Sequence, residues 1–398
     1  MRATIRLFVG TALTGTLMAG ALMLAASGAA MAEDAVKIGL ILPMTGPFAS
    51  TGKQIDAAVK LYMQQHGDTV AGKKIEVILK DDGSVPNVTK RLSQELVVND
   101  HVAVLAGFGL TPLAMAAASI ATQAKVPEIV MAAGTSSITE ASPFVLRTSM
   151  TLPQTTSPLA AWCLKNGIRK VVTIVSDYGP GYDAEKWFKQ PFEKGGGKVL
   201  AALRVPLANP DFAPFLQRAA DAKPDAVFIF VPSGVGSIVM KQFVERGLDK
   251  AGIKLIGPGD VVDDDLLNNM GDAALGVVSS QHYSAAHDSK MNHDFVAAFE
   301  KANKGMRPNF MAVGGYDGMA LVYKALQKTK GDAKGPDLVA AMKGMSWESP
   351  RGPISIDPAT RDIVQNIYIR KVEKKDGQLW NIEFETIPNV KDPAHGSK

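Results

Sequence analysis

Short apolar runs alternate with segments whose apolar residues recur three and four apart, and the alternation continues through most of the chain. The runs VKIGLIL, KIEVILKDD, VAVLAGFG, VPEIVMAAG, RKVVTIVS, DAVFIFVP and IKLIGPG have the continuous apolar character of strands covered on both faces. Between them, GKQIDAAVKLYMQQ, NVTKRLSQELVVND, TPLAMAAASIATQAK, AEKWFKQPFEKGG and VGSIVMKQFVERGL carry a helical period. Strands alternating with helices build mainly parallel sheets with helices on both faces, the α/β class. One sheet holding all these strands would be unusually wide, so the pattern predicts two consecutive lobes.

The alternation breaks in three places. FVLRTSMTLPQTTSP (residues 144–158) is a polar, proline-containing passage between a strand and a helix, and GVVSSQHYSAAHDSK passes from an apolar run into a polar loop. WESPRGPISIDPATRD is rich in proline, and IVQNIYIRKVEKKDGQLWNIEFETI follows it as a hairpin turning at Asp376-Gly377. These are three crossings between lobes. They divide the chain into residues 33–150 with 280–350 as the N-terminal lobe, and 151–279 with 351–398 as the C-terminal lobe.

The first 32 residues are not read as fold. Arg2 and Arg6 precede the apolar stretch LFVGTALTGTLMAGALMLAA, and Ala30-Met31-Ala32 has the small-x-small form of a cleavage site, so this segment reads as a secretory signal. Maturation near Glu33 places the protein in the periplasm, and no cysteine follows the apolar run to carry a lipid. About 366 residues remain, and a chain with 46% hydrophobic residues has ample core for two domains. The formal charge of +4 includes Arg2 and Arg6. Lysines and arginines lie scattered among acidic residues with no basic, aromatic-interleaved block, which argues against nucleic acid as a partner. The one cysteine, Cys163, has no internal disulfide partner and reads as a small buried residue.

In an open α/β sheet the ligand site forms at the carboxyl ends of the strands, where helix N-termini present unpaired N–H groups and a positive dipole end. Four loops fit: Ser50-Thr51 in GPFASTG, Leu110-Thr111 in GFGLTP, Ala133-Gly134-Thr135 in MAAGTSS, and Tyr178 in SDYGPGYD. Any one of them alone reads as a helix cap or a packed turn. None has a phosphate-loop pattern, so a carboxylate is the better ligand.

From VKIGLILPMTGPFASTG through VAVLAGFG and SDYGPGY to GGYDGMALVYKAL and SPRGPISIDPATRD, the chain resembles periplasmic solute-binding proteins of the leucine/isoleucine/valine type, which serve ABC transporters. The resemblance implies a two-lobed type I periplasmic binding protein with three interlobe crossings, closing on a solute and delivering it to a permease. It places Thr111 and Thr135 at hydroxyls that hold a ligand carboxylate, and Ala133 at a carbonyl that accepts from an ammonium. It also places Thr51 in the covering loop, Tyr178 at the aromatic position of the second lobe, and Pro232-Ser233 in a further loop of that lobe. Amino-acid binders of this type carry an acidic residue after the Gly-Pro of LIGPGDVVDDD to pair with the ligand ammonium. Here Gly259 stands at that position and Asp260 follows, which brings aromatic or aliphatic acids without an amino group into competition with leucine-like ligands.

No HExxH, CxxC, GxSxG or phosphate-loop motif occurs, and the six histidines have no metal-ligand spacing, so the chain reads as a binder without metal or cofactor. Asp260 to Asp265 read as an acidic helix N-terminus rather than a calcium loop. A periplasmic sensor of the same fold is the alternative role. A monomer is the expectation that the family implies.

Overall fold

The computed structural model describes residues 35–395, so the secretory segment lies outside the described residues. Within them the chain forms β1 Val36–Leu42, β2 Thr69–Val70, β3 Lys73–Asp81, β4 Val104–Gly107, β5 Glu128–Val130 and β6 Val145–Arg147, joined in one sheet of order β2-β3-β1-β4-β5-β6. All its pairings are parallel except β2 with β3. β1 runs down the middle, and five of its seven residues form the unbroken buried run Ile38 to Leu42.

The second sheet holds β7 Lys170–Ser176, β8 Lys198–Val205, β9 Ala226–Phe230, β10 Lys254–Pro258, β11 Val278–Gln281, β12 Ser346–Ser349, β13 Gly352–Ile356, β14 Ile363–Lys375 and β15 Gln378–Val390. Its order is β12-β13-β14-β11-β10-β9-β7-β8, with β15 on β14. The β8-to-β11 half is parallel, as the alternation requires. The other half is antiparallel and comes from the proline-rich segment and the hairpin, which turns between Lys375 and Gln378 with positive φ at Asp376 and Gly377.

Helices pack on both sheets, and many open on a proline at the first turn, where a missing N–H costs nothing: Pro86, Pro112, Pro153, Pro180 and Pro214. Helix Phe310–Lys328 is buried nearly all round and packs on helix Ala49–His66. At the first crossing a capping box between Thr151 and Gln154 starts helix Leu152–Lys165. The same Gln154 side chain donates 2.9 Å bonds to the carbonyls of Ile363 and Val390, tying this crossing to the third.

Buried charge also holds the crossings together. Arg147 Nε lies 2.6 Å from Asp362 Oδ1, and Arg351 Nη2 lies 2.7 Å from Asp317 Oδ2, with all four side chains buried. Among the described residues no helix is long and apolar enough to cross a membrane.

The segment Asp260 to Asp265 corrects the sequence reading. It forms a 3-10 turn at Gly259–Val262 and then an irregular stretch. Asp260 stands in the first turn of that 3-10 helix, whereas Asp263 and Asp264 follow it, and all three are at most 5% exposed.

Candidate functional site

The loops after β1, β4, β5, β7, β9 and β10 meet between the two sheets around a cavity of about 390 Å³, a slot walled by residues of all six loops. Three helices begin at it: Ala49–His66, Thr111–Ala124 and Gly179–Lys194. Their N-cap residues, Phe48, Leu110 and Tyr178, all line the slot and none supplies a side-chain cap. Three uncapped N-termini turned on one cavity favour an anion there. Two of these helices start so close to a strand end that a Cβ on Gly52 would overlap the Pro43 carbonyl, and one on Gly181 the Ser176 carbonyl.

Of the residues singled out in the sequence, the structure brings Thr51, Leu110, Thr111, Ala133, Gly134, Tyr178, Ser233 and Asp260 to the slot wall. Thr135 and Ser50 stand one step back. The Thr111 hydroxyl donates to Thr135 Oγ1 at 3.0 Å, which orders the Thr111 side chain at the wall. Ser50 Oγ turns away and donates to Asp265 Oδ2 at 2.7 Å, while Asn309 Nδ2 donates to Asp265 Oδ1 at 3.0 Å. Asp265 thus links the start of helix Ala49–His66 and the start of helix Phe310–Lys328 to the loop after β10.

The Ala133 carbonyl is already engaged by Arg147 Nη1 at 2.8 Å, and the Thr135 carbonyl by Arg147 Nη2 at 2.7 Å. The acceptor that an ammonium would need there is therefore shared with a buried guanidinium.

On the opposite wall, burial pushes the Asp260 carboxyl up to about 7, against the opposing pull of its own backbone N–H, Arg370 and Gln281 Nε2 at 3.4 Å. A Cβ on Gly259 would overlap Arg370 Nη2 and come within 2.8 Å of Gln281 Cβ. Arg370 is fully buried, donating to Ser279 Oγ and the Tyr283 carbonyl and lying 3.7 Å from Asp264 Oδ2. Arg370 thus packs behind Gly259 with Asp264 facing it, and Asp260 is the one carboxyl among the residues that line the slot.

Sequence reasoning missed the apolar lining: Phe48, Met150, Leu152, Phe230 and Met311. The Tyr178 and Phe230 rings lie 6.2 Å apart and nearly parallel. Phe230 ends a buried strand, a position that carries no signal distinct from core.

A family model described as "periplasmic binding protein" matches residues 35–378. A solute-binding protein of an ABC transporter from Rhodopseudomonas palustris BisB5, solved in complex with 3,4-dihydroxybenzoic acid, is 68% identical with a TM-score of 0.90, covering 91% of this chain and 100% of that one. Another from R. palustris, in complex with 4-hydroxybenzoate, is 43% identical with a TM-score of 0.88, covering 90% and 98%. The Leu/Ile/Val-binding protein homolog 6 of Brucella melitensis is 46% identical over 365 residues, 91% of this chain and 94% of that protein. With this match of family and fold, the chain belongs to the periplasmic binding proteins of the leucine/isoleucine/valine type, which serve ABC transporters.

Proposed function

We propose that this protein captures an aromatic carboxylate of the hydroxybenzoate class in the slot, in the periplasm, and hands it unchanged to an ABC permease. The observation that carries the reading is that Asp260, the one carboxyl among the residues lining the slot, is pushed by burial up to about 7 and so offers an ammonium no firm negative charge, while Arg370 packs behind the neighbouring Gly259. Three further features support it. The slot is lined by Tyr178 and Phe230, it faces uncapped helix N-termini, and relatives at 68% and 43% identity were solved with hydroxylated benzoates.

In this reading Thr111 and the N–H groups around Leu110 and Gly134 receive the carboxylate, with Thr135 ordering Thr111. Tyr178 and Phe230 form an aromatic wall beside the ring, while Thr51 covers it. Ser233 and Asp260 face its far side. Ser50 acts through Asp265, as a contact between the moving parts. The lobes turn about hinges near residues 150, 280 and 350, and contacts from both sides of the slot stabilise the closed form.

X-ray scattering tests the closure. Saturating 4-hydroxybenzoate lowers the radius of gyration of chain 33–398 and leucine leaves it unchanged; a radius unmoved by 4-hydroxybenzoate at saturation sinks the closing cleft.

Asp260 gives the site a pH dependence. Its folded pKa, about 7, lies above the ordinary aspartate value, so the native state binds more protons than the unfolded one between them. Its ionisation therefore removes stability as pH rises through that window. Benzoate, an anion without a hydroxyl to donate to Asp260, meets an added repulsion once Asp260 ionises. Its affinity is expected to fall about tenfold from about pH 6 to about pH 8. Asp260→Asn flattens the profile, and calorimetry at the two pH values finding equal slopes in both proteins would refute the assignment.

A further inference from the structure

A second cluster lies away from the slot, where the chain's last described residues return to the crossings. Asp362 precedes β14, Thr139 and Glu140 follow the 3-10 turn Ser136–Ile138, and Asp392 and His395 follow β15. His395 Nε2 stands 2.8 Å from Asp362 Oδ2 and 3.6 Å from Asp392 Oδ2. Thr139 Oγ1 lies 2.8 Å from Asp362 Oδ2 and 3.5 Å from His395 Nε2. One imidazole nitrogen and two carboxylate oxygens thus lie within 4.8 Å of one another, near enough to close on a small cation with bonds of about 2.0–2.2 Å once the 2.8 Å hydrogen bonds to Asp362 open.

Two observations separate the cluster from an ordinary ion pair. The Asp392 side chain is 1% exposed, and its Oδ2, which faces His395 Nε2, has no well-aligned donor, the Ser136 hydroxyl being the side-chain donor near this carboxylate; its other oxygen accepts from the Ala394 N–H at 2.9 Å. A buried carboxylate oxygen left without a donor is costly. Behind the ring, His395 Nδ1 lies 3.3 Å from Glu140 Oε1. A carboxylate on the far nitrogen is what fixes the tautomer of a metal-ligating histidine, and an incoming cation displaces the proton that Nε2 otherwise shares with Asp362 Oδ2. The remaining oxygen of Asp362 is committed to Arg147 Nε at 2.6 Å, which holds that carboxylate in place.

An open cavity borders Asp362, Asp392 and His395 and gives an approach for an ion and its waters.

We propose that Asp362, Asp392 and His395, with Thr139 beside them, form a binding site for a first-row divalent cation such as Zn²⁺. Imidazole with carboxylates suits such ions better than Mg²⁺ or Ca²⁺. The ion fastens the C-terminal segment to the crossing strands and to the turn after β5.

The test is isothermal titration of Zn²⁺ into chain 33–398 stripped with chelator, alongside thermal melting with and without the ion. The expected result is one Zn²⁺ per chain, unaffected by excess Mg²⁺, with a rise in melting temperature. His395→Ala weakens binding at least tenfold and abolishes the rise, and Glu140→Gln weakens binding about tenfold or more. Asp392→Asn, which keeps an oxygen for the Ala394 N–H, is the second variant should His395→Ala melt early without metal. Absence of one-to-one binding, or equal binding by the His395 and Asp392 variants, overturns the site and leaves an imidazolium held among carboxylates.

Discussion

Arg147→Met is expected to cost about 3–5 kcal/mol of stability, measured by urea denaturation near neutral pH. The guanidinium is fully buried and spends its donors on Asp362, the carbonyls of Ala133 and Thr135, and the Met150 carbonyl at 3.2 Å. A methionine fills the volume and leaves Asp362 without its cation and three carbonyls without their donor. Burial pushes the Asp362 carboxyl up, yet Arg147, His395 and Thr139 outweigh it and hold the group below the usual range. That stabilisation is present above the unfolded pKa and is lost as pH falls through the folded one, so the variant also loses the wild type's acid sensitivity in that region. Ligand affinity falls with stability, because the Ala133 to Thr135 loop that Arg147 fixes forms one wall of the slot. A loss below about 1 kcal/mol would mean that the loop is held by its own turns instead.

Gly259→Ala is expected to lose about 1–3 kcal/mol, with hydroxybenzoate affinity down at least tenfold. The backbone at 259 does not demand glycine, since it is absent from the positive-φ glycines; the space does. The added methyl meets Arg370 Nη2 and Gln281, and Arg370 is anchored by Ser279 and Tyr283 and cannot swing aside cheaply. Gly259→Asp is the sharper variant. Its carboxylate meets the buried guanidinium before any ligand, so the expected outcome is no gain of leucine binding. Calorimetric binding of leucine by Gly259→Asp would show that the acidic residue alone sets the ligand class.

Much of the fold was legible because burial on both faces of a parallel strand leaves continuous apolar runs, as in β1, β7 and β9. The hairpin was legible from Asp376-Gly377. β8 was not, since an edge strand rich in alanine, with Arg204 paired to Glu185, has neither a clean run nor a clean alternation. The slot's polar rim could be read because serine, threonine and glycine at strand ends have few reasons to recur in order.

Its electrostatics could not be read, because Arg147 meets Asp362 across 215 residues and Arg370 reaches Gly259 from the far side of the sheet. Asp260 to Asp265 misled for the same reason: four aspartates look solvated until Arg370, Asn381 and Ser50 are brought to them.

The most direct measurement is calorimetric titration of 3,4-dihydroxybenzoate, and separately leucine, into chain 33–398 that has been unfolded, dialysed and refolded to remove any carried solute. An aromatic-acid binder gives one-to-one binding of 3,4-dihydroxybenzoate at micromolar affinity or tighter, about −8 kcal/mol or more favourable, with no heat from leucine. Tight leucine binding with no heat from the hydroxybenzoate would contradict the assignment of the slot and return Asp260 to the role of an ammonium partner.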